Sequence, residues 1–553
     1  MFKSNIKASV FSYLWASLIG AIGFLVVIGP YVLSPFNVDW VWQVEWATYQ
    51  IPWQFFKHEG WHWPIGSISG LLWPMGASVA TTDALPLVAV PMKLFFSWVE
   101  RDFQYLGPYL FVCFVLQSCF SFKIVYSLTQ NRIFSIIGSA FFVFAPIFIS
   151  RNHHIALCSH YVLLWAIYLA LQFGRSDYKN FPLTGLFAVN VVTALVHAYW
   201  LFATMFITLF MLVFYLLKDV SKRRFVFTMS FGLIQLGAVL GLYYLTGFFA
   251  MKGIGENEWG YGNANLLSFL DPMTRPVLLP NITLFSDGQR EASSYLGLGM
   301  IVLSVFGLTQ IFRRVLVIRW RKYTHLLLAA LGLWFLALSS SITFSKWEIV
   351  NLDFLYTIFG PIPQMLRSSG RMIVILHYCI FMFALWCLYK APQFKLRTKN
   401  MLLGFFLALN LFDTHAIIAH QKIRGASPTM QFMSEELKSY LNFQLQQEDE
   451  MLPIHLVDFD PSCPRPPFFL ETWVQYPVMN WAARNKVPVT AGSEARMPYD
   501  RIQTFCKDAY QSLVDKNPMK LLYIFNPVYW HHYAAHIDPS HCEVFPDAIV
   551  CKF

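Results

Sequence analysis

The chain has 553 residues, of which 56% are hydrophobic, 18% aromatic and only 13% charged. A soluble chain would have about a quarter of its residues charged, so this composition excludes an ordinary soluble enzyme and reads as a polytopic membrane protein. The net charge of +10 needs no nucleic acid to explain it: residues 421–553 hold 12 Lys/Arg against 15 Asp/Glu, so the basic excess belongs to the apolar part, mostly in short loops.

Lys3 and Lys7 precede an apolar run over 8–33. It is too long for a signal-peptide core and carries no small-residue cleavage site. It is expected to be a retained first span with a cytoplasmic N-terminus. The stretch 34–105 follows as a long outer loop, dense in tryptophan (Trp40, Trp42, Trp46, Trp53, Trp61, Trp63, Trp73) and holding Asp39, Glu45, His58, Glu59, His62 and Asp83. Tryptophan suits a membrane–water interface. A carboxylate desolvated in such a layer tends towards the pKa of a general base. A plain cap of interfacial helices would use the same residues.

Further spans are expected at 106–128, 133–150, 155–173, 181–196, 200–217, 225–250, 295–312, 324–340, 372–389 and 401–419, which makes about eleven. Alternate junctions carry the basic residues: Arg132; Arg175 and Lys179; Lys218, Lys222, Arg223 and Arg224; Arg313 to Lys322; Lys390 to Lys399. These belong in the cytoplasm. An odd number of spans then places the tail, 421–553, on the outer side. Its helical stretches alternate with short apolar runs, the rhythm of a small α/β domain. Cys463, Cys506, Cys542 and Cys551 lie in that tail, where at least one disulfide is expected.

Polar candidates cluster at outer ends of spans. His154 and His160 are six apart, which does not align them as a ligand pair on one helix face; with His197 they suit hydrogen bonds to an anionic headgroup or a carboxylate. Asn263, Asn265, Gln289 and Glu291 lie in a Gly-rich loop suited to a polyhydroxylated ligand, although Gly and Asn also make turns. Arg367 and Arg371 on a Ser/Gly background fit a phosphate, as does Arg151, and positioning at the headgroup boundary fits equally. No GxSxG, HExxH, Walker or Rossmann signature stands at a usable position.

The stretches WQFFKHEGWHWPIG, TTDALPL, HIALCSHYVLL, GNANLLSFLDP, SSYLGLG and LRSSGRM, spanning Trp53 to Met372, are similar to those of a bacterial branch of the GT-C superfamily of integral-membrane glycosyltransferases. The resemblance implies an α-helical polytopic membrane domain over 1–420, with 34–105 as its catalytic outer loop, and a small extracytoplasmic α/β domain over 421–553. It implies a polyprenyl-phosphate sugar as donor, an outer glycan or glycolipid as acceptor, an inverting reaction and a base in the first outer loop. The branch carries an Asp eight residues before the first tryptophan of the WQFF motif. Here that position is Glu45, and Asp39 is the rival. Arg367, Arg371 and Arg151 are then candidates for the donor phosphate, with Asp83, His154, His160, His197, Asn263, Asn265, Gln289 and Glu291 as substrate contacts. Paired-acid motifs of metal-dependent branches are absent, so no cofactor or metal ligand is assigned. The protein is expected in a bacterial inner membrane, with lipid bilayer and no nucleic acid as partners. A lipid-linked saccharide transporter and a non-catalytic scaffold are the alternatives; a transporter would favour polar groups at mid-membrane depth and inverted repeats.

Overall fold

Apolar runs that cannot leave backbone amides unpaired in lipid fold as helices. In chain order, the computed structural model has α1 (Phe2–Val27), α2 (Val44–His58), α3 (Pro86–Phe96), α4 (Leu106–Thr129), α5 (Arg132–Val143), α6 (Pro146–Ile149), α7 (His160–Arg175), α8 (Leu183–Ala194), α9 (Ala198–Lys218), α10 (Lys222–Leu245), α11 (Leu298–Phe312), α12 (Thr324–Leu338), α13 (Asp353–Thr357), α14 (Val374–Lys390), α15 (Leu396–His420), α16 (Glu435–Gln447), α17 (Gln475–Arg484) and α18 (Tyr499–Val514). Strands are β1 (Ser67–Ile68), β2 (Ala77–Ser78), β3 (Ser341–Phe344), β4 (Trp347–Asn351), β5 (Ile454–Val457), β6 (Leu522–Phe525), β7 (Cys542–Val544) and β8 (Ile549–Lys552). The structure describes residues 2–42, 44–249, 260–273, 278–358, 366, 368–423, 433–447, 451–457, 475–492 and 499–553, apart from the side chains of 2–9, 44, 45 and 355.

Among the described residues, seven helices are long and apolar enough to cross a membrane: Val10–Val27, Leu106–Thr129, Ile155–Arg175, Ala198–Lys218, Lys222–Leu245, Ser369–Lys390 and Leu396–His420. Four more apolar helices, α5, α8, α11 and α12, coincide with expected spans but are shorter.

The chain divides into two compact units. The first comprises Met1–Ser34, Tyr105–Val239 and Glu256–Arg424. Within it α1 packs on α4, α4 on α5 and α7, α9 on α12, and α11 on α14 and α15. Its basic junctions gather at one end: Arg175 donates to the Ser127 carbonyl, Tyr178 to the Arg321 carbonyl, Lys218 pairs with Asp177 at 2.6 Å, and Gln393 donates to Gln310 at 3.1 Å.

The second unit comprises Pro35–Gln104, Leu240–Gly255 and Gly425–Phe553. This differs from the division expected at 420/421, because the stretch 35–104 groups with the tail rather than with the helices that flank it. The reason is backbone pairing and charge. Val489 N–H donates to the Gly70 carbonyl (2.7 Å) and Trp73 N–H to the Val489 carbonyl (2.8 Å), while α17 packs against α2. The Arg484 guanidinium grips the buried Asp102 carboxylate with both Nε (2.9 Å) and Nη2. The tail sheet runs β5-β6-β8-β7, with β5 and β6 parallel and the other pairs antiparallel. Cys542 and Cys551 form a disulfide between its last two strands; Cys463 lies outside the described residues.

The tryptophans split in two. Trp40, Trp42, Trp46 and Trp53 are buried and build the core of the second unit, Trp53 donating to the Phe103 carbonyl at 3.1 Å. Trp61, Trp63 and Trp98 are exposed. Among the described tryptophans of 35–104, these last have the exposure that an interfacial role requires, and Trp73 is half-buried.

Candidate functional site

Four separate inter-helix junctions of the first unit deliver charged and polar side chains to one place. Arg151 follows α6, His197 precedes α9, Glu291 precedes α11 and Arg371 precedes α14. Arg371 donates from Nε and Nη2 to one oxygen of Glu291, Oε2, at 3.0 and 2.6 Å. The Arg151 Nη1 atom stands 3.6 Å from the same oxygen, and its Nη2 donates to the Glu291 carbonyl. Tyr199 lies beneath the Arg371 guanidinium, 5.1 Å from ring centroid to Cζ, and its hydroxyl accepts from the Ser368 N–H at 2.9 Å. That is a cation–π floor under a bidentate fork.

The local sequence explains the placement. Gly370 sits where a Cβ would meet the Ala292 Cβ at 2.5 Å and the Gly262 carbonyl at 2.7 Å, and its N–H donates to that carbonyl. Only a glycine lets the segment before α14 approach the Gly-rich loop closely enough to bring Arg371 onto Glu291. His197 caps α9, with Nδ1 accepting from the Tyr199 N–H at 3.2 Å, a bond that requires an unprotonated ring nitrogen.

Electrostatics fix the charge states. Burial alone would raise the Glu291 carboxyl, but Arg371 and Arg151, with His154 beside them, overcome this and hold it at about 2. Burial lowers the Arg151 guanidinium to about 10, so it stays cationic at neutral pH. Burial, followed by Arg371, His154 and Arg151, holds His197 at about 3, which keeps it neutral and able to cap. The described trio therefore has two positive charges against one negative. This suits a bound anion.

Residues 17–415 match the family described as a domain of unknown function, DUF6311. The chain belongs to this family. No curated protein matches it in sequence. Among solved structures it is similar to the oligosaccharyltransferase of Archaeoglobus fulgidus in its apo form, at 12% identity and a TM-score of 0.39, over 94% of this chain and 74% of that one. It is likewise similar to the archaeal oligosaccharyltransferase AglB from Archaeoglobus fulgidus in complex with an inhibitory peptide and a dolichol-phosphate, at 10% identity and a TM-score of 0.40, over 94% and 69% of the two chains.

The other candidate residues are placed as follows. Asn263, Asn265 and Gln289 are buried, and their amides serve the scaffold. Gln289 Nε2 donates to Asn263 Oδ1 (2.8 Å) and Thr343 Oγ1 (2.7 Å), Asn263 Nδ2 to the Ser341 carbonyl (2.6 Å), and Asn265 Nδ2 to the Ser345 carbonyl (2.8 Å). They tie the Gly-rich loop to the β3–β4 hairpin, and this is a different use from holding a sugar. His160 is buried at the start of α7, with Nδ1 2.7 Å from the Tyr378 hydroxyl, which accepts from Gln117 at 2.8 Å. Asp39 is exposed in the 3₁₀ turn Asp39–Trp42, so the desolvated setting expected of first-loop acids is not met there. Glu45 lies on the first turn of α2, its side chain outside the described residues. Asp83 is half-buried between β2 and α3, and Arg367 lies outside the described residues.

Two further acids have structural roles beyond those read from the sequence. Asp413, buried within α15, accepts from the Tyr295 hydroxyl (2.5 Å) and from the Leu298 N–H (2.9 Å), so it caps α11 from a neighbouring helix. An acid inside an apolar run was the available signal. Glu59 accepts from the N–H groups of Ser69 and Gly70, both at 2.8 Å, which fixes the turn after α2. Among the described residues, no group of three or more His, Cys, Asp or Glu is placed to hold a metal ion.

Proposed function

We propose that this protein is a GT-C-type glycosyltransferase of a bacterial inner membrane, moving a sugar from a polyprenyl-phosphate carrier to an outer glycan or glycolipid with inversion. The observation that carries this reading is the convergence of Arg151 and Arg371 on Glu291, from junctions that the charge pattern assigns to the outer face. A cationic excess, partly shielded from water, suits a lipid phosphate whose charge grows as the glycosyl bond breaks. Arg367 joins the set by its place in the same motif. His154 and Tyr199 border it.

In this reading eleven helices span the bilayer, with α5, α8, α11 and α12 as the shorter ones. Clustering of the basic junctions at the opposite end of the first unit supports that alternation. Glu45, or Asp39 as its rival, takes the acceptor proton while the acceptor oxygen bonds to the anomeric carbon and the carbon–oxygen bond to phosphate breaks. The leaving phosphate, already anionic, needs no acid. The test is binding of a synthetic polyprenyl-phosphate sugar to purified protein in nanodiscs. Wild type should bind it, and Arg371→Ala should bind it at least about tenfold more weakly, since the variant loses a charge-assisted contact. Equal binding by both would overturn the assignment of the phosphate site.

A further inference from the structure

We infer that the β3–β4 hairpin is an anchor in the outer leaflet: one face is fastened to the Gly-rich loop, and the other sets apolar side chains among lipid headgroups and upper acyl chains. The inference rests on the reading of α12 as a membrane span and is independent of the transferase chemistry.

Strict strand alternation would not build such a face, because Ile349 and Val350 are adjacent in sequence and would point to opposite sides. The pairing resolves this. Phe344 stands opposite Trp347 and Thr343 opposite Glu348, but Ile342 stands opposite Val350, so Ile349 is the extra residue of a β-bulge. Two residues set against one are re-aimed to the same side, which Ile349 and Val350 share with Ile342, Phe344 and Trp347. That side is open: Phe344 is 46% exposed, Trp347 65%, Ile349 56% and Val350 41%. The opposite side is polar and tied down. The buried Thr343 hydroxyl accepts from Gln289 Nε2 at 2.7 Å and from Asn265 Nδ2 at 3.1 Å. Glu348 accepts from the Ser341 hydroxyl at 2.7 Å and from Asn351 Nδ2 at 3.1 Å.

What precedes the hairpin identifies the bilayer as its partner. α12 has 15 residues, which gives a rise of about 22 Å against about 30 Å of hydrocarbon. Leu328, Leu331 and Phe335 form an exposed apolar stripe along it. Only Ser339 and Ser340 separate its last residue from β3, and the basic junction 313–322 lies before it, so the hairpin stands at its outer end. An apolar face there covers the thickness that the short helix leaves. Lys346, in the turn, lies 5.1 Å from the Trp347 ring centroid, a pairing of cation and aromatic ring that suits the headgroup layer. Among the described residues β4 pairs with β3 alone. Its outer edge needs water for its backbone groups, which confines the hairpin to the interface and keeps it out of the hydrocarbon core.

The experiment places a spin label at Ile349→Cys, Glu348→Cys or Leu331→Cys in the full-length protein, in nanodiscs of phosphatidylethanolamine and phosphatidylglycerol. Wild type is carried through the labelling as background. Relaxation by oxygen, which concentrates in lipid, is compared with relaxation by a water-soluble nickel chelate. The label on α12 at Leu331→Cys should respond to oxygen and be shielded from nickel. Ile349→Cys should follow it at shallower depth, and Glu348→Cys should respond to nickel. Nickel access at Ile349→Cys equal to that at Glu348→Cys, with Leu331→Cys shielded, overturns this inference alone. Nickel access at Leu331→Cys overturns the span, and this inference with it. Dipolar broadening between two Ile349→Cys labels would assign the face to a second copy of the chain and overturn the lipid anchor.

Discussion

Removing Arg484 should loosen the second unit measurably, and the structure indicates by how much. Asp102 is 6% exposed and accepts from Arg484 Nε and Nη2 and from Asn480 Nδ2 at 3.3 Å. Deleting one partner of a fully buried pair costs about 3–5 kcal/mol, and an exposed pair contributes about 1 kcal/mol or less. This pair is between the two, because the Arg484 side chain is 50% exposed. Lys57 also senses Asp102: burial lowers its pKa and Asp102 opposes that shift, so a second cation remains near the carboxylate. Arg484→Ala should therefore destabilise the unit by about 1.5–3 kcal/mol, lowering its unfolding midpoint by about 5 °C. The assay is thermal unfolding of detergent-purified protein, followed by limited proteolysis within residues 425–553. Asp102→Asn combined with Arg484→Ala should recover part of the loss, since no buried charge is then left unpaired. If Arg484→Ala changes the midpoint by less than about 1 °C, the pair contributes only as a surface contact would and the reasoning fails.

Three shorter predictions accompany it. His197→Ala should cost about 1 kcal/mol by uncapping α9, whereas His197→Asn should restore the cap; equal stability of the two variants would show that Nδ1 does not serve as one. Acid should destabilise the protein between pH 6.5 and about 4. Burial holds His58, His455 and His197 at about 4, 4 and 3, so in that window the unfolded chain binds more protons than the folded one and stability falls with pH. Glu291 adds to the loss only below about 4.5, as pH approaches its folded value of about 2. An unfolding midpoint at pH 5 equal to that at pH 7 would refute this. A reporter active only outside the cytoplasm, fused after Phe553, should give signal, and a cytoplasm-only reporter should not; the reverse result would invert the proposed topology.

The long apolar helices were legible because hydropathy is a property of single segments. Arg151, His154, His197 and Arg371 were legible as candidates because they stand where apolar runs end. Their pairing with Glu291 was not. Glu291 was singled out with Asn263, Asn265 and Gln289 as one ligand-binding loop, and the structure separates them: the three amides tie the loop to β3–β4, while the carboxylate joins the arginines. A pairing across 80 or 140 residues leaves no local pattern. The grouping of 35–104 with the tail was missed for the same reason. It depends on Val489 pairing with Gly70 and Trp73, and on Asp102 finding Arg484. The motif SSYLGLG was visible as a motif, but its physical cause was not: Gly297 stands where a Cβ would meet Asn410 at 2.1 Å, beside the Asp413 cap.

The central claim is tested most directly by transfer from a synthetic polyprenyl-phosphate sugar in nanodiscs, following release of free polyprenyl phosphate by wild type, Glu45→Gln and Asp39→Asn in parallel. Loss of a general base costs about 10² to 10⁴ in rate. Wild type should release the carrier phosphate in the presence of a lipid-linked acceptor, Glu45→Gln should fall by that factor with donor binding intact, and Asp39→Asn should be much milder. Full activity in both variants would remove the base from the first outer loop. Donor that is bound by wild type but never consumed, with any acceptor, would contradict the transferase and favour a carrier of lipid-linked saccharides.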